Sequence, residues 1–263
     1  MQYAIIVPVH NEASHLEGLV TRFIESCPSE FTEAFKEVIL VENGSTDGTL
    51  EVCRHLEQRF SSLVRVASIP RGSYGEAIKL GMLESNGTHL SILECDCLDW
   101  AFVLKSISIF RSKTAEVIIG SKRHRESIDK RPLKRRLLTA IYNFFCLQVL
   151  IGYPGTDTHG LKSFEGRSAR RLCESAITTD ELFQTEIVLL AWRLGMTIEE
   201  VPIVISEIRS APVSVVRRVP KVVNTVWDLK RSLKRFPKGA SRVNSGALAG
   251  HEDLVKIERT SKE

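Results

Sequence analysis

At 263 residues, with 43% hydrophobic and 26% charged side chains, the chain has the composition of a soluble globular protein. Its length suffices for one large domain, alone or with an appendage. The formal charge of +4 is too small to imply a nucleic-acid partner, although the basic residues gather in the second half. Six cysteines, at 27, 53, 95, 97, 146 and 173, make neither a CxxC knuckle nor a dense framework, which argues for reduced thiols in a cytosolic setting and against structural zinc.

The first half alternates. Runs rich in Val, Ile and Leu at 3–9, 36–42, 63–68, 89–94 and 115–120 predict strands, and the stretches 13–26, 48–60, 75–85 and 100–112 predict helices between them. Apolar strands each followed by a helix imply an α/β fold, with a mainly parallel central sheet flanked by helices on both faces. The chain enters its first strand at Tyr3 with no basic leader or small-residue cleavage site, so no signal peptide is expected.

Residues 121–136 are strongly basic: Lys122, Arg123, Arg125, Lys130, Arg131, Lys134, Arg135 and Arg136 are set against only Glu126 and Asp129. Pro132 then precedes an apolar, aromatic-bearing stretch from Leu133 to Ile151. Beyond the Gly152-Tyr-Pro-Gly turn, a strand is expected at 159–165, helices at 167–176 and 181–195, and a strand over 197–205. A last amphipathic helix, about 213–236, carries Val215, Val219, Val222, Val226, Leu229, Leu233 and Phe236 on one face and basic residues around the rest. It reads either as a helix packed on the domain or as one lying on an anionic membrane. The expected division is a domain over 1–210, this basic C-terminal helix within 211–236, and a tail without structure over 237–263. No apolar run reaches the roughly 20 residues that span a bilayer, so a soluble or peripheral protein is expected.

The chemistry gathers at the ends of the strands. Pro8-Val9-His10-Asn11-Glu12 closes the first, and Val41-Glu42-Asn43-Gly44-Ser45-Thr46-Asp47-Gly48 the second. Parallel neighbours bring both loops to one edge, so Glu12 and the Glu42/Asn43 pair can converge on one ligand, offering acceptors to a base or ribose. Ser45 and Asp47 read mainly as helix caps. No glycine-rich fingerprint follows the first strand and no Gly-Lys-Ser/Thr element exists, which disfavours a dinucleotide-binding dehydrogenase and a P-loop NTPase. Glu94-Cys95-Asp96 ends the fourth strand with two acids at i and i+2, residues that share a face in a strand. If the strand ends there and the chain turns, both carboxylates can address one point in the crevice beyond the sheet. Such a pair is either a solvated strand end or a set of hard oxygen donors for Mg²⁺ or Mn²⁺ shared with a diphosphate.

Val-Pro-Val-His-Asn-Glu, Val-Glu-Asn-Gly-Ser-Thr-Asp-Gly-Thr and Glu-Cys-Asp resemble the successive motifs of family 2 glycosyltransferases, which have the GT-A fold. Gly75-Glu-Ala-Ile-Lys-Leu-Gly, Gly120-Ser-Lys, Asp157-Thr-His-Gly-Leu-Lys, Phe183-Gln-Thr-Glu186 and Glu200-Val-Pro-Ile…Arg209 follow in the order of the polyprenyl-phosphate glycosyltransferases, dolichol-phosphate mannosyltransferase among them. The likeness extends over about 3–210. It departs from the family pattern at His10 (usually Tyr), Glu42-Asn43 (Asp-Asp), Glu94 (the first Asp of D-x-D), Lys122 (Arg) and Val215 (Lys).

The resemblance implies an inverting, metal-dependent transfer of a hexose, of mannose or glucose type, from a GDP- or UDP-sugar to polyprenyl or dolichyl phosphate. The expected setting is the cytoplasmic membrane face, where a membrane partner could supply an anchor. Carried over position by position, it makes Pro8, His10, Glu12, Val41 and Asn43 nucleotide contacts. It makes Glu94, Cys95 and Asp96 the frame of the metal and diphosphate, with Glu94 and Asp96 as ligands of Mg²⁺ or Mn²⁺. Lys122, Arg135 and Arg209 fall where the family has cations near phosphates, so Asp96, Arg135 and Arg209 are the expected catalytic set. The basic 121–136 segment and the apolar residues after it would then hold a phosphate head and its isoprenoid tail. Two rival readings remain. In one the acceptor is a hydroxyl and Asp180, Glu181 or Glu186 is the base; in the other the protein only binds nucleotide sugar.

Overall fold

Strand β1 (Tyr3–Val9) is buried along its whole length, and its alternate side chains enter two different cores. Ala4 and Ile6 join one, while Tyr3, Ile5, Val7 and Val9 join the other. A strand apolar on both faces is stable only inside a sheet covered on each side, and the rest of the molecule supplies that cover. The computed structural model describes residues 1–180, 182–205, 227, 229–231, 233–236, 239 and 242–244; the side chains at 134, 135, 138, 142 and 146 fall outside that description.

In chain order the strands after β1 are β2 (Phe35–Asn43), β3 (Val64–Ile69), β4 (His89–Ile92), β5 (Val117–Ser121), β6 (Ile128–Asp129), β7 (Lys162–Glu165), β8 (Ile198–Pro202), β9 (Val204–Ile205) and β10 (Val243–Asn244). Among the described residues they form an eight-stranded sheet in the order β10-β8-β5-β7-β4-β1-β2-β3, with β6 and β9 as a separate pair. All its neighbours are parallel except β7, which runs antiparallel to both β4 and β5. The sheet is therefore mixed but mostly parallel. Hydroxyls pin the register of the reversed strand: Ser163 faces Ser91 at 2.6 Å, Ser91 meets the Tyr3 hydroxyl at 2.9 Å, and Ser163 donates to Ser106 at 2.9 Å. Linked in this way, the four hydroxyls satisfy one another in a site closed to water.

Helices α1 (Leu16–Glu25), α2 (Thr49–Arg59) and α4 (Trp100–Ser112) pack on the Tyr3/Ile5 face; α3 (Tyr74–Glu84), α6 (Gly166–Ser175) and α7 (Phe183–Arg193) pack on the Ala4/Ile6 face. Helix α5 (Leu133–Tyr142) continues as a π-helical segment, Asn143–Ile151. The wider π turn sets Asn143, Leu147 and Ile151, spaced by four, on its buried side.

Two expectations need correction here. The strand expected over 89–94 is shorter: β4 stops at Ile92, so Glu94 already belongs to the turn, which the Cys97 N–H closes around Cys95-Asp96 by donating to the Glu94 carbonyl at 2.9 Å. The stretch from 237 onward, expected to lack structure, contributes β10, which pairs with β8 and so gains backbone hydrogen bonds a free tail would lack. Of the helix expected at 213–236, residues 213–226 lie outside the described residues. Leu229 and Leu233 are buried in the Ala4/Ile6 core, so that stretch is packed on the domain.

The topology fixes where a ligand can sit. From β1 the chain builds outward to β2 and β3, then returns to place β4 on the other side of β1, which makes the β1/β4 boundary a switch point. The last bond between the two runs from the Leu93 N–H to the Ile6 carbonyl, at 2.9 Å. Pro8, two residues on, has its missing N–H on that same side, where β4 has already turned away, so it costs no ladder bond.

Close packing of α3 on β1 rests on Gly81, where a Cβ would lie 2.5 Å from Ile6 Cγ2 and 3.0 Å from Val41 Cγ2. Helix propensity alone favours Gly81→Ala by about 1 kcal/mol, whereas overpacking costs about 1–3 kcal/mol. We expect Gly81→Ala to lower the urea midpoint; a raised midpoint would show that α3 can lift off β1 freely.

Candidate active site

The cleft at the switch point, a cavity of ≈ 180 Å³, is lined by Pro8, Val9, His10, Glu12, Asn43, Tyr74, Glu94, Cys95 and Asp96. Pro8, His10, Glu12, Asn43, Glu94, Cys95 and Asp96, which the sequence pointed to, are thus brought together there. Val41 is not: alternation along β2 turns its side chain into the core beside Gly81. Lys122 stands off the cleft, the Arg135 side chain lies outside the description, and Arg209 lies outside the described residues.

The loops after β1 and β2 are sewn together. The Asn11 N–H donates to Ser45 Oγ at 3.0 Å, and Asn11 Oδ1 accepts from the Thr46 N–H at 2.9 Å. Asp47 accepts from the N–H groups of Ala13 and Thr49, each at 3.2 Å, so it bridges one loop to the start of α2. His10 Nδ1 donates to the Asn43 carbonyl at 2.7 Å, leaving Nε2 to accept from Asn11 Nδ2 at 3.1 Å. Glu42 is used inside this frame. It accepts from the Ser45 N–H and, at 2.8 Å, from the Ser68 hydroxyl; burial pushes its pKa up, but these bonds outweigh that and hold it below the usual value. Glu42 is thus a loop anchor, and of the expected Glu42/Asn43 pair only Asn43 lines the cleft.

On the opposite wall the turn after β4 presents Glu94 and Asp96. Loss of solvent around the carboxyl in the cleft, and then the charge of Glu94, raise the Asp96 pKa, although the residue as a whole is exposed. Two acids that repel each other at one point favour a cation between them. Two carboxylates are too few for an all-protein cage, and no group of three or more metal-ligating side chains exists among the described residues. The donor set fits Mg²⁺ or Mn²⁺ that completes its shell with diphosphate oxygens and water. Cys95 is a buried thiol pushed up to about 12 by burial and then by the charge of Asp96.

Beneath this wall lies a polar layer that the sequence did not expose. Tyr74, at the start of α3, donates its hydroxyl to Glu94, and Gln184 on α7 contacts both. Nothing in the sequence distinguishes Tyr74 from any aromatic residue opening a helix, and Gln184 was quoted in a motif without a role. The start of α3 can approach the 179–180 loop closely because residue 75 is glycine; a Cβ there would sit 2.5 Å from the carbonyl oxygens of Thr179 and Asp180.

Next to it is a buried charged group. Lys122 Nζ lies 3.6 Å from Asp157 and donates to the His159 carbonyl at 3.0 Å. Burial would raise the Asp157 pKa, but Lys122, His159 and backbone N–H donors hold it low. His159 is driven down to about 4 by burial and then by Lys122, so its ring is neutral at pH 7. Lys162, fully buried, is lowered to about 7 by burial and then by Lys122. Glu186, a candidate base, is buried and accepts from the N–H groups of Ile177 and Thr178, while Asp180 caps the Leu182 N–H at 2.9 Å. Both are engaged as loop anchors. Glu181 lies outside the described residues.

A family model described as "Glycosyl transferase family 2" matches residues 4–161. Dolichyl-phosphate beta-glucosyltransferases resemble the chain: one from Trichomonas vaginalis at 25% identity over 213 residues and one from Dictyostelium discoideum at 27% over 218. Each match covers 78% of this chain and 66% of the relative, so the chain spans just under two thirds of the length of these relatives. Among solved structures, glucosyl-3-phosphoglycerate synthase from Mycobacterium tuberculosis, in complex with Mn²⁺, uridine diphosphate and phosphoglyceric acid, is similar with a TM-score of 0.61 at 17% identity. That match covers 90% of this chain and 79% of that one. The fold is thus GT-A-like. With the family model matching more than half of its length, the chain belongs to glycosyltransferase family 2.

Glu200 provides a test of the buried layer. It accepts from the Thr156 N–H at 2.6 Å, and burial raises its pKa from 4.5 to about 7, only partly opposed by the Thr156 bonds. The folded state therefore holds a proton that the unfolded chain releases. The associated stability is fully present below pH 4.5 and is lost as pH rises through about 7. Glu200→Gln, which cannot ionise, should flatten this loss and make the variant relatively more stable at pH 8 than at pH 5, read from urea midpoints. An unchanged pH profile would contradict it.

Proposed function

We propose that this protein transfers a hexose, with inversion, from a nucleotide sugar of the UDP-glucose type to a polyprenyl or dolichyl phosphate. The observation that carries the reading is the turn bearing Glu94 and Asp96, set in the switch-point cleft opposite Asn43, His10 and Glu12. The Trichomonas and Dictyostelium relatives favour glucose and a dolichyl-phosphate acceptor, and the uridine diphosphate in the solved neighbour favours uracil.

In this reading, Asn43, Glu12 and His10 receive the nucleoside, Pro8 and Cys95 shape the floor, and Glu94 with Asp96 holds Mg²⁺ or Mn²⁺ against the diphosphate. When bound, that cation neutralises the charge developing on the leaving nucleotide. An acceptor phosphate is already anionic and needs no general base, only positioning for in-line attack on the anomeric carbon. Arg135 and Arg209 would supply cations for the phosphates, while Lys122, paired with Asp157 off the cleft, serves the layer beneath. That Glu186 and Asp180 are engaged elsewhere speaks against the hydroxyl-acceptor alternative.

A lipid acceptor is further supported by the surface beside β6 and β9. Leu133, Leu137, Ile141, Phe144, Phe145 and Val149 are exposed along α5 and its π-helical continuation; Ile128, just before α5 in sequence, is exposed on the small sheet, where Val204 pairs opposite it and is exposed too. Lys130 and Arg136 are exposed in the same segment, as a basic border to apolar area suits an anionic lipid surface. Arg131 is not part of that border, because it is paired with Asp129 at 2.7 Å. No helix of the described residues is long and apolar enough to cross a membrane.

The deciding assay is transfer of labelled sugar from UDP-glucose, UDP-galactose and GDP-mannose into organic-extractable product, with polyprenyl phosphate and Mg²⁺ or Mn²⁺. Glucosyl lipid is expected from UDP-glucose. Asp96→Asn should lower kcat about 10²-fold or more with an unchanged melting temperature. Transfer only to soluble hydroxyl acceptors would replace the proposal, and nucleotide binding without turnover would leave a binding protein. Leu137→Glu together with Phe145→Glu should raise KM for the lipid while sparing donor hydrolysis; unchanged lipid KM would remove the α5 surface from the acceptor path.

A further inference from the structure

A continuous chain of hydrogen bonds runs from the interior of the sheet to the acidic turn. Lys162 on β7 is fully buried, and its Nζ donates to the Gly160 carbonyl at 2.8 Å and to Gln184 Oε1 at 2.5 Å. The Gly160 N–H donates to the same Oε1 at 3.0 Å. On its other side Gln184, also buried, directs Nε2 at the Tyr74 hydroxyl at 2.5 Å and at Glu94 Oε1 at 3.2 Å. The Tyr74 hydroxyl completes the triangle, 2.5 Å from Glu94 Oε1.

Donor chemistry leaves this chain one arrangement. A backbone N–H can only donate, so the Gly160 N–H turns the Gln184 amide oxygen toward β7, where Lys162 Nζ also meets it, and the NH₂ faces the cleft. Tyr74 receives one of those protons, which leaves its own single proton for Glu94. Glu94 Oε1 then accepts twice, from the Tyr74 hydroxyl and from Gln184 Nε2, which fixes the carboxyl group in the turn. The amide transmits direction as well as contact: turned over, it would set its oxygen against the Glu94 carboxylate and its NH₂ against two donors.

We propose that Gln184, oriented by Lys162 and Gly160, is a positioning residue that fixes the Glu94 carboxylate through its Oε1 and thereby sets the affinity of the acidic turn for a divalent cation. The inference rests on the reading of Glu94 and Asp96 as cation ligands. It adds a reason for the longer Glu at this position: its carboxyl reaches Tyr74 and Gln184 on one oxygen. Second-layer hydrogen bonds of this kind change metal affinity by about 10–100-fold.

Gln184→Met keeps the length and packing of the side chain without adding charge, but it neither accepts from Gly160 nor donates to Glu94. Mn²⁺ binding, read by the electron paramagnetic resonance signal of the free ion with UDP present, is measured for the wild type, Gln184→Met, Tyr74→Phe and Gln184→Asn, at urea-free conditions where melting curves show each variant folded. The expected result is weaker Mn²⁺ binding by about tenfold or more in Gln184→Met and less in Tyr74→Phe, which keeps one donor to Glu94. Gln184→Asn should fall between wild type and Gln184→Met, since it keeps the amide but shortens its reach. Wild-type Mn²⁺ affinity in both Gln184→Met and Tyr74→Phe would overturn the relay while leaving the cation site standing. Absence of Mn²⁺ binding by the wild type would overturn the cation site and the relay with it.

Discussion

The parting of β1 from β4 is the constraint on which the rest of the structure depends. As far as Ile6 and Leu93 the two strands are bonded neighbours; beyond that point Pro8 offers no N–H, and the chain after β4 folds into the turn of Glu94 and Asp96. A parallel sheet built in both directions from its central strand necessarily leaves a gap where the direction of building reverses. Because β1 is buried on both faces, that gap cannot close by shifting the strand without exposing apolar side chains. The cleft is thus a consequence of core packing, and the polar loops only furnish it.

Around the gap, the molecule separates groups that hold shape from groups that face the cavity. Asp47, Glu42, Asn11 and Ser45 are consumed in joining two loops, and Glu186 in bracing the 177–178 segment. A buried carboxylate that already accepts several bonds is poorly suited to proton transfer, since each bond stabilises its charged form. Asp96 is the contrasting case: it faces the cleft, and partial burial and then the charge of Glu94 raise its pKa. Beneath it, Lys122, Asp157, Lys162 and Gln184 make a polar layer whose members satisfy one another, which is what allows charges to persist inside an apolar sandwich.

Much of the fold was readable from the chain, and the reasons are local. The runs 3–9 and 100–112 coincide with β1 and α4 because uninterrupted apolar burial and a capped amphipathic helix each leave a strong periodic signal; Asp99 accepts from the Ala101 N–H at 2.8 Å. The antiparallel direction of β7 was not readable, since a four-residue strand carries no mark of its orientation. Nor was β10, two residues, Val243–Asn244, that gain order by pairing with β8 and by packing Val243 on the core. In the site, Asn43 and Asp96 were legible because polar residues ending apolar strands stand out. Tyr74, Gln184 and Lys162 were not, since each lies in a segment whose own pattern it fits.

What the sequence by itself determined is the alternation of strands and helices, the loops that carry polar residues, and the family to which the ordered motifs belong. Those depend on periodicity and composition, which are properties of neighbours along the chain. Only the tertiary structure decided that Val41 and Glu42 serve the frame while Asn43 serves the cleft, that the two acids sit on a turn, and that Lys162, Gln184 and Tyr74 converge on Glu94. The physical reason is that hydrogen bonds and burial depend on distances through space. Gln184 and Glu94 are 90 residues apart in sequence and bonded at 3.2 Å.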